Sequence, residues 1–590
     1  MDFFLGGPLD DSGERIPDDQ TLYEASDLTT HGVIVGMTGS GKSGLGVIFL
    51  EEALRNGVPT LVIDPKGDMT NLLLTFPDLA PSDFRPWIDE AKAEREGVSP
   101  GDEAASEAAK WEKGLGWWDL GGEDIGRLRD TGGMTIYTPG STSGVPLDIV
   151  GDLSAPDLSW DEDTETLRDE IQGFTSGLLG LVDIDADPVS SREHILVSNL
   201  IENAWRTNEP MSLEILIGQI ATPPIRKLGV FDMDTFFPEK DRMAFAMKLN
   251  SLLASPSFGT WMQGEPLDIE SLLWRDGKPQ AAVIYLAHLS DSERQFIVTT
   301  LFSKHITWMR SQSGSSELRA LAYMDEVFGF VPPTAEPPAK KPILTVLKQA
   351  RAFGVGLLLS TQNPVDLDYK AMSNAGTWCI GRLQTERDKA RMLEAVNAAS
   401  GDIDLSSIDS QISGLAKRSF ILHNTRDKAP RLFTTRWAMS YLRGPMTRDE
   451  VEKITGSDAR HQTPDTSRAP DTGETSDTGH RTSDVAPPSV AEGVESVAVH
   501  PAADWATALG NSGVGEQYEA GLAVTVEMRF DERRAGVDHT EVWEAVSFPA
   551  PVDAASAEFM TVDHDERDWI PMDGSVPTTS ASAAIGSSTY

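Results

Sequence analysis

The chain has 590 residues, more than one compact core accommodates, so two or three folded units are expected. Its apolar fraction of 39% and charged fraction of 24% are those of a globular protein, and no run of eighteen apolar residues offers a transmembrane helix. A formal net charge of −42 excludes nucleic-acid binding over the whole surface, because phosphate contacts draw on cationic side chains. Three readings of the charge remain: a partner other than nucleic acid, a contact confined to a small lined channel, or a host with a salty cytoplasm. The only cysteine, Cys379, lies in an apolar run, which excludes a disulfide framework and a Cys-based zinc site and reads as a buried small hydrophobe.

The opening MDFFLGGPLDDSGERIPDD lacks the basic end and apolar stretch of a secretory signal, so a cytoplasmic location is expected. Residues 1–30 form an N-terminal segment ahead of the first expected strand, GVIVGM (32–37), which ends at a glycine loop. The following SGLGVIFLEEALRNG has helical spacing, and PTLVIDP (59–65) is a second strand closed by Pro65 and Gly67. Strand, loop, helix and strand make a βαβ unit, which calls for a parallel sheet. Between 76 and 279 the rhythm is lost to acidic, Trp-containing helical stretches at 103–118, 163–182, 191–206 and 241–254, which predict a mostly helical insertion. Near 280 it returns, with strands expected in AAVIYLAHL (281–289), LRALAYMDE (318–326), VGLLLST (355–361), GTWCIGR (376–382), RSFILHN (418–424) and RLFTTRWA (431–438). Helices are expected at 291–311 and 343–352, with a Pro-rich loop at 332–342.

One discontinuous α/β core (31–75 and 280–445) thus encloses the insertion. Residues 446–499 are rich in Asp, Thr, Ser, Pro and Gly, too poor in apolar area to offset ordering entropy, and read as a disordered acidic linker. Residues 500–550, with the strand-like GLAVTVEMRF, read as a small C-terminal domain or its remnant, and 551–590 as a disordered tail. There are no internal repeats.

The octapeptide Gly36-Met37-Thr38-Gly39-Ser40-Gly41-Lys42-Ser43 is a P-loop between a strand and a helix. Its glycines let backbone N–H groups curl around a β-phosphate, with a helix N-terminus behind them. Lys42 would bridge the β- and γ-phosphates of ATP, and Ser43 would hold Mg²⁺. Such a site also needs a carboxylate for the magnesium shell and a group to activate water. Two strand ends compete: Asp64, followed by Pro65, and Asp325-Glu326. In the second, Asp325 serves the metal and Glu326 polarises water; the bland alternative is a helix N-cap with a first-turn acid. Gln362, at the end of the next strand, is the candidate that senses the γ-phosphate. The cluster Asp563-His564-Asp565-Glu566 reads as exposed polar residues, and no Gly-x-Ser-x-Gly elbow or His-Glu-x-x-His helix is present.

The set GMTGSGKS, VIDPKGD (62–68), AYMDE, GVGLLLSTQNP (354–364) and NAGTWCIGRLQTERDKARML (374–393) resembles the HerA-like ATPases of the HerA/FtsK superfamily. RWAMSYLRGPMTRDE (436–450) resembles the end of the core in bacterial members. The likeness spans most of 30–445 outside the insertion. It implies a RecA-like core, a homo-hexameric ring with ATP between subunits, translocation of double-stranded DNA through the pore, and often a partner nuclease. It also implies an arginine supplied in trans, for which Arg382 best fits, with Arg387 second; Arg351 would equally serve the nucleotide. Asp64 and Lys66 fall near the nucleotide without an assigned role. In a ring, DNA would meet only pore loops, with Lys340 and Lys341, Arg226 and Lys227, or Arg242 and Lys248 as candidates beside the reading of solvated surface cations. Archaeal-type members carry an N-terminal β-barrel before the core; with about thirty residues ahead of the first expected strand, docking of a nuclease through such a barrel is not expected here, and the lack of a membrane segment argues against FtsK itself and the conjugative coupling ATPases. Two rivals stand beside a DNA motor: a protein-remodelling or secretion-type ATPase of the same fold, and a nucleotide-switched interaction module.

Overall fold

The computed structural model describes residues 1–10, 12–383, 385–400, 412–427 and 429–461, and the strands Glu495–Val499, Ala520–Glu532, Val537–Ser547, Met560–Thr561, Trp569–Pro571 and Ala584–Ser587. By contacts the chain divides into two units, Met1–Thr466 and Ser467–Tyr590. A twelve-stranded sheet runs through the first. In chain order its main strands are β1 (Asp2–Pro8), β2 (Thr21–Glu24), β3 (Gly32–Val35), β4 (Thr60–Asp64), β5 (Gly133–Tyr137), β6 (Lys278–Tyr285), β7 (Ser315–Met324), β8 (Phe353–Thr361), β9 (Thr377–Ile380), β10 (Ser419–Asn424) and β11 (Arg431–Thr435). The spatial order is β5-β6-β4-β7-β8-β3-β9-β10-β11-β1-β2, with Trp274–Arg275 hairpinned onto β6. From β5 through β9 every pair is parallel; from β9 to β2 every pair is antiparallel.

Five of these strands, counted from β3 along the chain as β3, β4, β7, β8 and β9, lie side by side in the order 4-7-8-3-9. This is the sheet of a RecA-like P-loop NTPase core. Their sequences are near-continuous apolar runs because both faces are covered. Alternation survives as a choice of face: Val33, Val35, Leu61 and Ile63 enter one core cluster, Ile34 and Val62 the other. The first face carries helices α2 (Thr164–Leu181), α3 (Arg192–Thr207), α4 (Glu239–Ala254) and α5 (Asp291–Ser311). The second packs against α1 (Lys42–Arg55), the helix that follows the P-loop, and the N-terminal strands.

Four expectations are corrected. Residues 1–30 are not a separate segment: β1 and β2 extend the sheet by pairing with β11, Gly6 opposite Thr435. A short run around a Gly-Gly pair has no visible period of its own, and only a partner some 430 positions away makes it a strand. The insertion, mostly helices with a few two-residue strands, also yields β5, which completes the parallel block beside β6. Residues 446–499 open with a helix, Arg448–His461, whose Val451 and Ile454 reach the core; the rest of the expected linker up to 494 lies outside the described residues. The tail expected to be disordered contributes three short strands to the second unit's six-stranded sheet, each gaining its backbone bonds from an existing strand edge.

Candidate nucleotide site

The C-terminal ends of β3, β4, β7, β8 and β9 meet in one place, the usual ligand crevice of an open α/β sheet. Beyond β3, Gly39 (φ +80°) and Gly41 (φ +107°) take backbone conformations that L side chains rarely adopt. The helix Lys42–Arg55 has no side-chain cap at its N-terminus, so its first amides are available to an anion. Lys42 is buried; burial lowers its pKa, and Glu326 and Asp325 oppose that shift.

Asp325 follows β7 and is 1% exposed. Burial first, and then the charge of Glu326, push its pKa up to about 6. Its Oδ1 accepts a hydrogen bond from Tyr323 Oη at 3.0 Å, while Oδ2 is buried with no partner. The tyrosine reaches it because Gly46 leaves room: a Cβ there would lie 2.3 Å from Tyr323 Oη. An unpartnered, desolvated carboxylate oxygen beside Lys42 fits Mg²⁺, which takes one or two protein oxygens and completes its shell with phosphate and water. Ser43, one residue past Lys42, is the hydroxyl that would share it.

Asp64 is also fully buried, and burial together with Asp325 raises its pKa to about 7. It has a different task from Asp325. Both oxygens are spent on the backbone of the following loop, accepting from Lys66 and Gly67 on one side and Met69 and Thr70 on the other. That shapes the turn that presents Lys66, whose Nζ lies 3.3 Å from Glu326 Oε1.

Glu326 sits in the left-handed region (φ +41°), unusual for a glutamate and a mark of local strain. Gln362, just past β8, donates from Nε2 to Glu326 Oε1 at 2.5 Å, and Thr38 Oγ1 of the P-loop donates to Gln362 Oε1 at 2.6 Å. A chain of contacts therefore runs Thr38, Gln362, Glu326, Lys66. It borders an open cleft of about 610 Å³ that Arg294, Phe328 and Asn363 also line. A larger cleft of about 930 Å³, between α2, α5 and the Pro-rich loop, holds none of these groups.

Of the cations expected near nucleotide or DNA, Arg382 has its carbonyl hydrogen-bonded to Met37 N at 2.8 Å, so its exposed side chain starts beside the chain's own P-loop. Arg387 is exposed on the next helix, and Arg351 lies before β8, at the opposite end of the strands. Lys340 is no pore-loop residue: it is 1% exposed, at the start of the helix Lys340–Gln349, paired with Glu336 and Asp368. Arg242 is likewise buried, on Asp234 and the Phe237 carbonyl. Lys341 and Lys248 are exposed and bond Gln172 Oε1 and the Asp183 carbonyl. Arg226 and Lys227 are exposed, Lys227 on the hairpin formed by Lys227–Leu228 and Phe231–Asp232. The cluster at 563–566 lies outside the described residues. Among the described residues no group of three His, Cys, Asp or Glu could hold a metal, and no helix is long and apolar enough to cross a membrane.

Sequence reasoning placed Thr38 in the P-loop but missed its bond to Gln362, since it occupies a free position of the pattern, and it missed Tyr323, whose place before Asp325 reads only as core strand. It also missed Arg418, which carries no motif.

Sheet order and loop geometry together define a P-loop core of RecA-like fold. The family model for the central domain of helicase HerA matches residues 9–131 and bears out the HerA-like resemblance over the stretch that holds the P-loop and β4. No curated protein sequence matches the chain. Among solved structures, VirB4 of Thermoanaerobacter pseudethanolicus is similar at 12% identity and a TM-score of 0.43, over 73% of this chain and 96% of that one. The plasmid coupling protein TrwB in complex with ADP and Mg²⁺ is similar at 12% identity and a TM-score of 0.42, over 75% and 97%.

Proposed function

We propose that the chain hydrolyses ATP as the subunit of a cytoplasmic, homo-hexameric motor of HerA type that translocates double-stranded DNA through its pore. The carrying observation is the convergence of Lys42, Asp325, Glu326 and Gln362 on adjacent strand ends, with Glu326 held by the amide of Gln362. A switch module without turnover has no use for a carboxylate placed in this way.

In this reading the amides from Gly36 to Ser43 wrap the β-phosphate, and Lys42 draws charge from the β- and γ-phosphates. Mg²⁺, held by Ser43 and Asp325, would neutralise phosphate charge when bound. Glu326 takes a proton from the attacking water as that oxygen bonds to the γ-phosphorus and the bond to the β–γ bridging oxygen breaks, leaving ADP and phosphate. Gln362, fixed by Thr38, orients Glu326 and contacts the γ-phosphate. Arg382, starting at the chain's own P-loop, is assigned to its own nucleotide, and Arg387 takes the trans position. DNA contact falls to Arg226 and Lys227, and a partner nuclease belongs to the same HerA-like reading.

The net charge of −42 favours a second reading, an ATPase of this fold that moves protein. Phosphate release by the purified chain, with and without linear double-stranded DNA and beside Glu326→Gln, separates them. Removing a general base costs on the order of 10²–10⁴ in rate. DNA stimulation that disappears in the variant supports the motor. Steady hydrolysis indifferent to DNA selects the protein-moving reading, and absence of multiple turnover removes both.

A further inference from the structure

Arg418 stands at the entrance of β10, far in sequence from every motif, yet it touches the P-loop directly. Its backbone N–H donates to the Ser40 carbonyl at 2.8 Å. A Cβ on Gly41 would lie 3.3 Å from Arg418 Cα, so the two backbones are in van der Waals contact. Arg418 itself has φ +68°, a conformation that residues other than glycine seldom adopt. Its side chain is anchored on the far side. Nε donates to Thr435 Oγ1 at 3.2 Å, and Nη2 donates to the carbonyls of Thr435 and Arg436 at 2.9 and 2.6 Å. The guanidinium lies 4.6 Å from the ring centroid of Trp437, and Thr435 N returns a bond to the Arg418 carbonyl at 3.0 Å. A strained backbone persists when its surroundings over-determine it, and such sites cluster where geometry matters to function. No carboxylate pairs with this half-buried cation among the ion pairs of the described residues, and burial alone lowers its pKa.

We propose that Arg418 is the positioning residue of the phosphate loop: it suspends the Ser40–Gly41 peptide from the Thr435–Trp437 segment in the conformation that receives the β-phosphate. The inference rests on the ATP-binding reading above and deepens it. The backbone and side-chain parts are separable. Glycine at 418 adopts the same φ without strain but has no anchor. Lysine keeps the charge but cannot fork onto two carbonyls.

The test compares the full chain with Arg418→Ala, Arg418→Gly and Arg418→Lys. Amide hydrogen exchange over residues 36–45 is followed without nucleotide, and the Kd of a fluorescent ATP analogue is measured with Mg²⁺. Arg418→Ala is expected to speed exchange in the loop and weaken analogue binding about tenfold, with KM for ATP rising alike and kcat within about twofold. Arg418→Gly should lose less, and Arg418→Lys should resemble alanine; lysine carries the test if alanine fails to fold. Wild-type exchange and wild-type Kd in Arg418→Ala overturn the inference, as does a lower Tm with unchanged Kd, which marks a merely structural role. A wild-type chain that does not bind the analogue overturns the ATP reading itself, whereas a binding wild type beside an unaffected variant sinks the inference alone.

Discussion

Gly46→Ala adds one methyl group to the helix after the P-loop, at a point where the helix lies on Tyr323. The new Cβ would fall 2.3 Å from Tyr323 Oη, 2.6 Å from Cζ and 3.0 Å from Cε2. Ordinary contact begins near 3.4 Å, so ring or helix must move by about 1 Å. The ring is 0% exposed and stands on β7, between β4 and β8, so it has nowhere to go. Overpacking of this kind costs about 1–3 kcal/mol. If the hydroxyl leaves Asp325, a buried acceptor loses its partner at about 1–3 kcal/mol more. Better helix propensity returns about 0.5–1 kcal/mol. The net expectation is a loss of about 1–5 kcal/mol in urea unfolding, together with a higher Mg²⁺ requirement for phosphate release, because Asp325, the carboxylate that would hold the metal, loses the hydroxyl that places it. Tyr323→Phe in the same background removes the nearest clashing atom and should recover part of the stability but none of the Mg²⁺ affinity. A Gly46→Ala protein as stable as the parent, with the same Mg²⁺ dependence, would refute the claim that this helix packs on Tyr323 to place Asp325.

Arg436 is 0% exposed and pairs with Glu51 at 2.9 Å and Glu52 at 3.0 Å, both buried. Arg436→Met leaves buried Glu51 without its cation, while Glu52 keeps Arg55 at 3.0 Å, and should cost about 3–5 kcal/mol by urea unfolding; a loss under 1 kcal/mol would contradict the burial of the triad. For pH, Asp64 (about 7) and Asp325 (about 6) both sit above the ordinary value of 3.8. The native state therefore binds more protons than the unfolded chain between about pH 4 and 7, and their stabilising effect, full below pH 4, is lost as pH rises through that window. The nucleotide-free protein should show a Tm that falls from pH 5 to 7.5, and Asp325→Asn should flatten the fall; an equal slope in the variant would rule out Asp325 as a contributor.

How far the sequence could be read depended on whether the signal was local. The P-loop and the ends of β4, β7 and β8 were legible because strand, turn and carboxylate are adjacent in the chain. In the sequence Asp325 and Asp64 both end apolar strands and differ in the residue that follows, Glu326 or Pro65; the physical difference is non-local, one carboxylate being saturated by four amides while the other keeps an oxygen free. Lys340 illustrates the reverse failure. A pair of lysines in a Pro-rich stretch looks solvated, yet Asp368, 28 positions on, folds over the first and buries it. β1 was illegible for the same reason that Arg418 was, since each owes its role to residues far along the chain.

The segment from Arg436 to Met446 shows what those distant contacts achieve. Ser440 N donates to Glu51 Oε1 and Tyr441 N to the Leu74 carbonyl. Arg443 N donates to Asn71 Oδ1, Asn71 Nδ2 returns a bond to the Gly444 carbonyl, and Met446 N reaches the Gly67 carbonyl. The loop that carries Lys66 and Asp68 is thus gripped from outside by this strap and from inside by the Asp64 carboxylate. Through Arg436 and Glu51 the same strap holds the helix behind the P-loop, and through Arg418 it reaches the P-loop itself. The P-loop, its helix and the lysine-bearing loop are therefore set in place by one stretch of chain that contributes no side chain to the candidate nucleotide chemistry. This core gains the rigidity that preorganised phosphate binding needs from the segment after its last strand rather than from its motifs.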